Sequence, residues 1–399
     1  MHYRTVPKNG DRLSALGYGA MRLPTRMGRV DEGRAIRQIR SAIEGGVNYV
    51  DTAYPYHGGE SERVLGRALR DGYREQVKIA DKLTPWLVAS RAEMETMLAV
   101  QLKRLQTDHI DYYLLHMLDA RSWKKLVDLD VFAFLEAARE AGTITNIGFS
   151  FHGDRKTFRA IIDAYDWTMC QVQYNLLDED LQAGREGLDY AASQGIAVMV
   201  MEPLRGGMLA RDLPAGAQAA YDRSGLARNP ADWALRWVLD HPGVTTVLSG
   251  MNDERHIQEN LQTCEDALPG SMTAAEHAVV DEVKAAYRRQ IRIDCTGCAY
   301  CMPCPFGVDI PQCFHFYNQY HMGGTRLLTR GFYIGQVIGF EGDPANASRC
   351  RHCGKCLEAC PQGIAIPDEL EKVAHDLDGL STKLMIPLVK MVMTKRQKE

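Results

Sequence analysis

The sequence predicts an α/β chain: a (β/α)8 barrel of the TIM-barrel class, followed by a smaller α-helical domain rich in cysteine. Three observations carry this. Over residues 12–265, short β-branched or aromatic runs alternate with longer amphipathic stretches, the pattern of a parallel sheet whose strands are joined by helices. Eight such units fit into about 250 residues, the usual size of a closed barrel. Beyond residue 290 the alternation stops, and eight of the eleven cysteines crowd into two short runs.

The elements follow in order. Strands are expected at 16–20, 47–53, 77–83, 110–116, 144–150, 169–175, 196–203 and 245–250, with helical stretches at 31–44, 61–71, 90–105, 131–141 and 180–193. The run DYYLLH is apolar toward both faces, as a strand buried on both sides must be. An open doubly wound sheet is the alternative that alternation alone leaves. The pattern changes near 268–272, and a helical stretch at 274–289 leads into the cysteine-rich region. The expected domains are therefore 1–288 and 289–399.

Composition narrows the class. The net charge is −4, which argues against a nucleic-acid surface, normally basic. The opening MHYRTVPKNGDRL contains no apolar core of a secretory signal. No run approaches the roughly 18 apolar residues of a membrane span, and the longest candidate, 384–393, is interrupted by Pro387 and Lys390. A cytoplasmic protein is expected. In that setting tight cysteine spacing favours metal or cluster ligation over disulfides. Cys170, Cys264 and Cys313 stand apart from the runs and are expected to be ordinary buried thiols. The tail 381–399 mixes apolar and basic residues and is expected to dock as a helix.

Functional groups of such barrels gather at the C-terminal ends of the strands. Asp51 and Tyr56 lie at or just after the second strand, in VDTAYPYHGGESE; Lys82 ends the third and His116 the fourth. A lysine at the tip of a buried strand needs a partner, and Asp51 is the obvious one. The group makes a proton donor. Tyrosine, with an ordinary pKa of about 10, is too weak an acid at neutral pH, and a nearby ammonium favours its phenolate. Tyr54 is a neighbouring competitor for that role. Taken singly, each residue has a plainer reading as a helix cap, a core histidine or a loop tyrosine; their joint order is what points to chemistry.

That order and spacing, Asp-x-x-x-x-Tyr, then Lys, then His, resembles the aldo-keto reductase family. The resemblance implies reduction of an aldehyde or ketone to an alcohol, or the reverse, by hydride transfer with NADP or NAD. It implies Tyr56 as general acid, Asp51 and Lys82 tuning it, and His116 orienting a small carbonyl or alcohol substrate. It extends along the barrel. Ser150 matches half of a Ser-Asn pair that holds the carboxamide, with Phe151 in place of the Asn and His152 beside it. Gln171 in CQVQYN is the second carboxamide ligand, and Met201 stands where a stacking tyrosine is common. In LSGMNDERHIQEN, Glu259 and Asn260 match adenine contacts. Gly250 and His256 replace the usual phosphate-binding Lys and Arg there, with Arg255 adjacent.

The second run, Cys350-x2-Cys353-x2-Cys356-x3-Cys360-Pro, is the spacing of bacterial ferredoxins. The first, Cys295-x2-Cys298-x2-Cys301-x2-Cys304-Pro, departs from it by one residue. CTGCAYCMPCPFGVDIP and CRHCGKCLEACPQGIAIP nonetheless align as an internal repeat with one gap. By that resemblance two [4Fe-4S] clusters are expected with exchanged fourth ligands. Cys304 joins Cys350, Cys353 and Cys356, and Cys360 joins Cys295, Cys298 and Cys301. A single cluster is the alternative. Structural zinc prefers two separated Cys-x2-Cys pairs and fits less well. A cubane takes electrons singly whereas nicotinamide gives two as hydride. Two rival readings remain, an electron-transfer protein that serves a redox partner and a barrel whose clusters are purely structural; exposed clusters being oxygen-sensitive, an oxygen-poor cytoplasm is the expected setting.

Overall fold

The computed structural model describes residues 1–211, 213–321, 326–338, 344–380, 382, 385 and 386. The expectation for the tail 381–399 lies outside the described residues save for three positions. The chain divides into two compact units: 1–204 with 231–273, and 205–230 with 274–399.

The first unit is a closed barrel of eight parallel strands. They are β1 Leu16–Gly19, β2 Tyr49–Asp51, β3 Lys78–Leu83, β4 Ile110–Leu118, β5 Ile144–Phe151, β6 Met169–Gln173, β7 Ala197–Met201 and β8 Val244–Ser249. Each pairs with its chain neighbours, and β8 closes on β1 through Leu248↔Gly17 and Ser249↔Tyr18. Every residue of β8 and all but one of β4 are buried, because helices cover the outside while side chains fill the inside. Tyr49, Ala80, Tyr112, Met169 and Met199 form the lower core with Val6 and Leu13 of an N-terminal hairpin. Asn9 of that hairpin donates to Asn146 Oδ1 at 3.0 Å, and the Tyr112 hydroxyl donates to Asp11 at 2.7 Å, so the hairpin plugs the N-terminal end. The open end is therefore the C-terminal one. Gly148 is tied to its place by packing: a Cβ there would lie 2.3 Å from Met169 Sδ.

Local chemistry sets where elements start and stop. The helix Arg91–Leu105 is capped by Ser90, whose side chain accepts from Glu93 N, and it ends at left-handed Gln106. The helix Ala120–Asp128, absent from the expected set, starts with a capping box between Asp119 and Ser122. Five strands, β1, β2, β3, β6 and β7, are shorter than expected, and local bonds show why for two of them. In β2, the carbonyl of Thr52 leaves the ladder to accept the Lys82 ammonium at 2.6 Å. After β6, Asn175 turns the chain by accepting from Leu177 N and Asp178 N.

In the second unit, the helix Ala215–Arg223 packs with Ala274–Arg288, joined by the ion pair Arg223–Glu282. The Arg205 guanidinium is buried and donates to Asp294 Oδ1 at 2.8 Å, one residue before Cys295. Asn318 clamps the next stretch, accepting from Arg292 N and Ile293 N and donating to Ile293 O. The 45 residues between the cysteine runs supply the helices Ile310–His321 and Arg326–Tyr333, and Ile366–Leu377 follows the second run. Phe314, Phe316, Tyr317, Tyr333, Leu370 and Val373 give this unit its own core. Cys313 is buried within it, as Cys170 and Cys264 are in the barrel.

Candidate active site and cysteine centre

The barrel places Asp51, Lys82, His116, Ser150 and Met201 at or near the C-terminal ends of β2, β3, β4, β5 and β7, with Gln171 midway along β6 and Gly250 just after β8. Lys82 Nζ, fully buried, donates to Asp51 Oδ1 at 2.7 Å and to Thr52 O at 2.6 Å. Burial pushes the Asp51 carboxyl up and the Lys82 ammonium pulls it back. Tyr56 opens the short helical turn Tyr56–Gly59, in which His57, Gly58 and Gly59 all have positive φ. That turn swings its ring to 5.0 Å from Lys82 Nζ. The His116 ring stands edge-on to it at 5.9 Å and lies 5.4 Å from Trp86. Burial, then the charges of Lys82 and His152, hold His116 well below the ordinary histidine range. That favours the neutral imidazole. Tyr54 lies elsewhere, its ring under the Arg104 guanidinium.

Ser150 and Gln171 are register partners on β5 and β6. Ser150 Oγ accepts from Met117 N at 2.7 Å. The Gln171 amide lies 3.8 Å from Met201 Sδ, and its buried Oε1 has no hydrogen-bond donor among the described residues. A buried acceptor left open on a strand is suited to a ligand donor, such as a carboxamide NH2. Phe151 is buried against Phe158, so it does not take the place of an amide. His152 enters a polar chain instead, through its Nδ1 to Gln182 Oε1 at 3.2 Å, from Gln182 to Gln173, and from Gln173 to Asp178. Burial pushes His152 down to about 4. Asn260 donates to Ser249 Oγ at 2.9 Å and is buried, whereas Arg255 and Glu259 form an exposed pair at 3.6 Å.

Three groups escaped the sequence reading. Arg22, just after β1, lays its stem over Gly250, whose Cβ would fall 3.1–3.3 Å from it. Its Nη2 is buried with no hydrogen bond among the described residues, 3.7 Å from Glu202 Oε1. Trp86 is about half exposed over His116. No local signal marks these residues; a basic residue after the first strand was the only clue for Arg22.

In the second unit the repeat is visible in the backbone. Gly297 and His352, then Ala299 and Gly354, then Gly307 and Gly363 occupy equivalent positions, and all six have positive φ. One cavity gathers Cys295, Cys298, Cys301 and Cys360; another gathers Cys304, Cys350, Cys353 and Cys356, with Cys301 also at its wall. Burial pushes the Cys301 thiol up, and Cys298, Cys295 and Cys360 add to it. Cys356 is raised first by burial and then by Cys350, Cys353 and Cys304. Among the described residues no three Cys, His, Asp or Glu side chains close around a single ion. A cubane, which brings its own sulfides, fits the wider thiol spacing better than a lone zinc. Among the described residues no helix is long and apolar enough to cross a membrane.

Comparison with known proteins agrees with both halves. A sequence model of the aldo/keto reductase family matches residues 15–282, and one of a 4Fe-4S dicluster domain matches 294–365. The chain is 29% identical to the aldo-keto reductase YhdN of Bacillus subtilis, over 63% of this chain and 85% of that protein. It is 28% identical to the methylglyoxal reductase YeaE of Escherichia coli, over 65% and 87%. Among solved structures it resembles an aldo-keto reductase from Bacillus halodurans in its holo form (27% identity, TM-score 0.60, 71% of this chain and 96% of that one). An aldo/keto reductase from Klebsiella pneumoniae in complex with NADP and acetate is similar too (25%, TM-score 0.59, 71% and 96%).

Proposed function

The chain belongs to the aldo/keto reductase family, and from that premise we propose that it interconverts a small aldehyde or ketone and its alcohol on the barrel, residues 1–288, with NADP or NAD. The carrying observation is the buried Lys82–Asp51 pair at 2.7 Å with the Tyr56 ring 5.0 Å from the ammonium. When bound, the nicotinamide supplies hydride to the carbonyl carbon. Tyr56 gives its phenolic proton to the carbonyl oxygen as negative charge develops there. Lys82 stabilises the phenolate left behind, and Asp51 keeps that ammonium charged and aimed despite its burial. Neutral His116 orients the oxygen by an N–H, and Trp86 covers the approach.

The cofactor residues fit the same reading. Gln171 Oε1 and Ser150 receive the carboxamide, Met201 packs beside the ring, and Asn260, with Glu259, receives the adenine. Gly250 leaves space that the Arg22 stem fills. Loops after the last two strands are the usual phosphate site of this barrel class, so Arg22, with Arg255 further out, supplies the cation for a phosphate of the dinucleotide. For the second unit we propose two [4Fe-4S] clusters with the exchanged ligand sets described above, since each cavity presents four thiolates and a single cluster would strand four of them.

The experiment is an anaerobic titration of the iron-loaded protein. NADPH or NADH is added alone, then with aldehydes and ketones, while nicotinamide and cluster absorbance are followed. Nicotinamide consumed only with carbonyl supports the reading. Cluster bleaching by nicotinamide alone overturns simple carbonyl reduction and favours the electron-transfer alternative.

A further inference from the structure

The two cysteine sites share a backbone but not a setting. We propose that the site of Cys304, Cys350, Cys353 and Cys356 is the port at which this protein exchanges single electrons with an acidic electron-carrier protein; this rests on the two-cluster reading. Among the described residues, the cavity of Cys295, Cys298, Cys301 and Cys360 has no charged side chain in its lining, which is completed by residues such as Ile310, Phe314 and Ile364. The other cavity is lined by Arg351 and Lys355 and, among the described residues, by no acidic one. Its Cys353 is the exposed cysteine of the eight. Phe306 and Leu357 beside it are 40% and 44% exposed. Arg349 adds a further positive charge at this rim, and its Nε holds Phe306 O at 3.0 Å. Acids near this rim among the described residues include Glu358, Asp368, Glu369, which pairs with Lys372 at 2.7 Å, and Glu371, which pairs with His352 at 3.1 Å.

An apolar centre with an aromatic residue beside charged groups is the anatomy of a protein interface steered by electrostatics. Here the charged side chains that line the cavity, among the described residues, are the basic Arg351 and Lys355, on a chain whose net charge is −4, so the partner that fits is acidic. Electron transfer weakens steeply with distance, which favours the cluster whose thiolate reaches solvent. Arg351 and Lys355 also ease the arrival of one more negative charge there. In the step the carrier loses one electron and the cluster gains one, or the reverse. No bond is made or broken.

The test uses the full iron-loaded chain without oxygen and a purified flavodoxin as the acidic carrier, with binding read by calorimetry and iron counted on the same samples. The expected result is binding that weakens at least about tenfold when added salt screens the interface, and about tenfold weaker binding by R351Q/K355Q at unchanged iron. Absence of binding, salt-independent binding, or full affinity in the variant with iron retained overturns the port. Should that variant lose iron, Phe306→Ser decides, with weakened binding supporting the port and unchanged binding sinking it. Wild-type iron near four per chain, with the Cys350 run unliganded, removes the two-cluster reading itself and is told apart by the iron count alone.

Discussion

At the open end of the barrel, several buried polar groups satisfy one another while a few stay open: Lys82 has Asp51 and Thr52, Asn260 has Ser249 and His152 has Gln182, whereas Gln171 Oε1 has no donor among the described residues. In the cysteine unit the eight thiols face mainly each other, and for Cys301 and Cys356 those neighbours only raise the cost of ionisation. The first region is organised by the protein's own hydrogen bonds before any ligand arrives. The second is organised for an inorganic centre that turns mutual repulsion into shared ligation. Loss of a side chain should therefore dominate in the barrel, and loss of iron in the cysteine unit.

The largest effect separating them is expected from Tyr56→Phe. It should lower kcat by about 10³ while iron content and nicotinamide affinity stay as in wild type; a kcat within tenfold of wild type would remove Tyr56 from the proton step. Next is Lys82→Met, which leaves the Asp51 charge buried and alone and should cost about 3–5 kcal/mol. Urea unfolding reads this, and adding Asp51→Asn should restore part of it; no restoration would break the pairing argument. Chelation of iron should act in the opposite place. Calorimetry should show the transition of the cysteine unit shifted down or lost while that of the barrel persists, because bound ligand stabilises only the unit that holds it. A single transition shifting as a whole would dissolve the contrast.

A pH effect of similar size should map to the barrel. His152 is held neutral down to about 4, whereas an unfolded histidine takes its proton near 6.5. The depressed value means stability is fully present above pH 6.5 and drains as pH falls toward 4. For one group this is about 1.4 kcal/mol per unit, on the order of 3 kcal/mol in all. Acid unfolding of His152→Gln should lose that slope. The smallest expected effects are on cofactor affinity. Gln171→Ala and Arg22→Gln should each weaken nicotinamide binding about tenfold by fluorescence titration, with kcat little changed and cluster absorbance untouched. An unchanged affinity in Arg22→Gln would return the phosphate to Arg255.

Much of this contrast could be read before folding. Eight strands and their parallel order follow from apolar runs such as DYYLLH spaced by amphipathic stretches, because burial on both faces demands that pattern. The placing of Asp51, Lys82 and His116 side by side was legible because they lie toward the ends of consecutive strands. The cysteine repeat was legible down to its gap. Other parts were not. The helix Ala120–Asp128 depends on a local cap at Asp119 that no periodicity announces. The pairing of Arg22 with Glu202, and its stem on Gly250, joins loops after the first, seventh and eighth strands. Residues that distant in the chain meet only when the barrel closes.

Sequence alone thus determined the class of each half, the residue types at the strand ends and the two cysteine runs, because period, spacing and donor chemistry are local properties of a chain. Tertiary structure decided which groups face one another. It set the neutrality of His116, the open acceptor on Gln171, the packing of 205–230 with the helix Ala274–Arg288, and the charged lining of one cysteine site beside the uncharged lining of the other. Each of these depends on burial and on distances across the fold, which no single stretch of sequence contains.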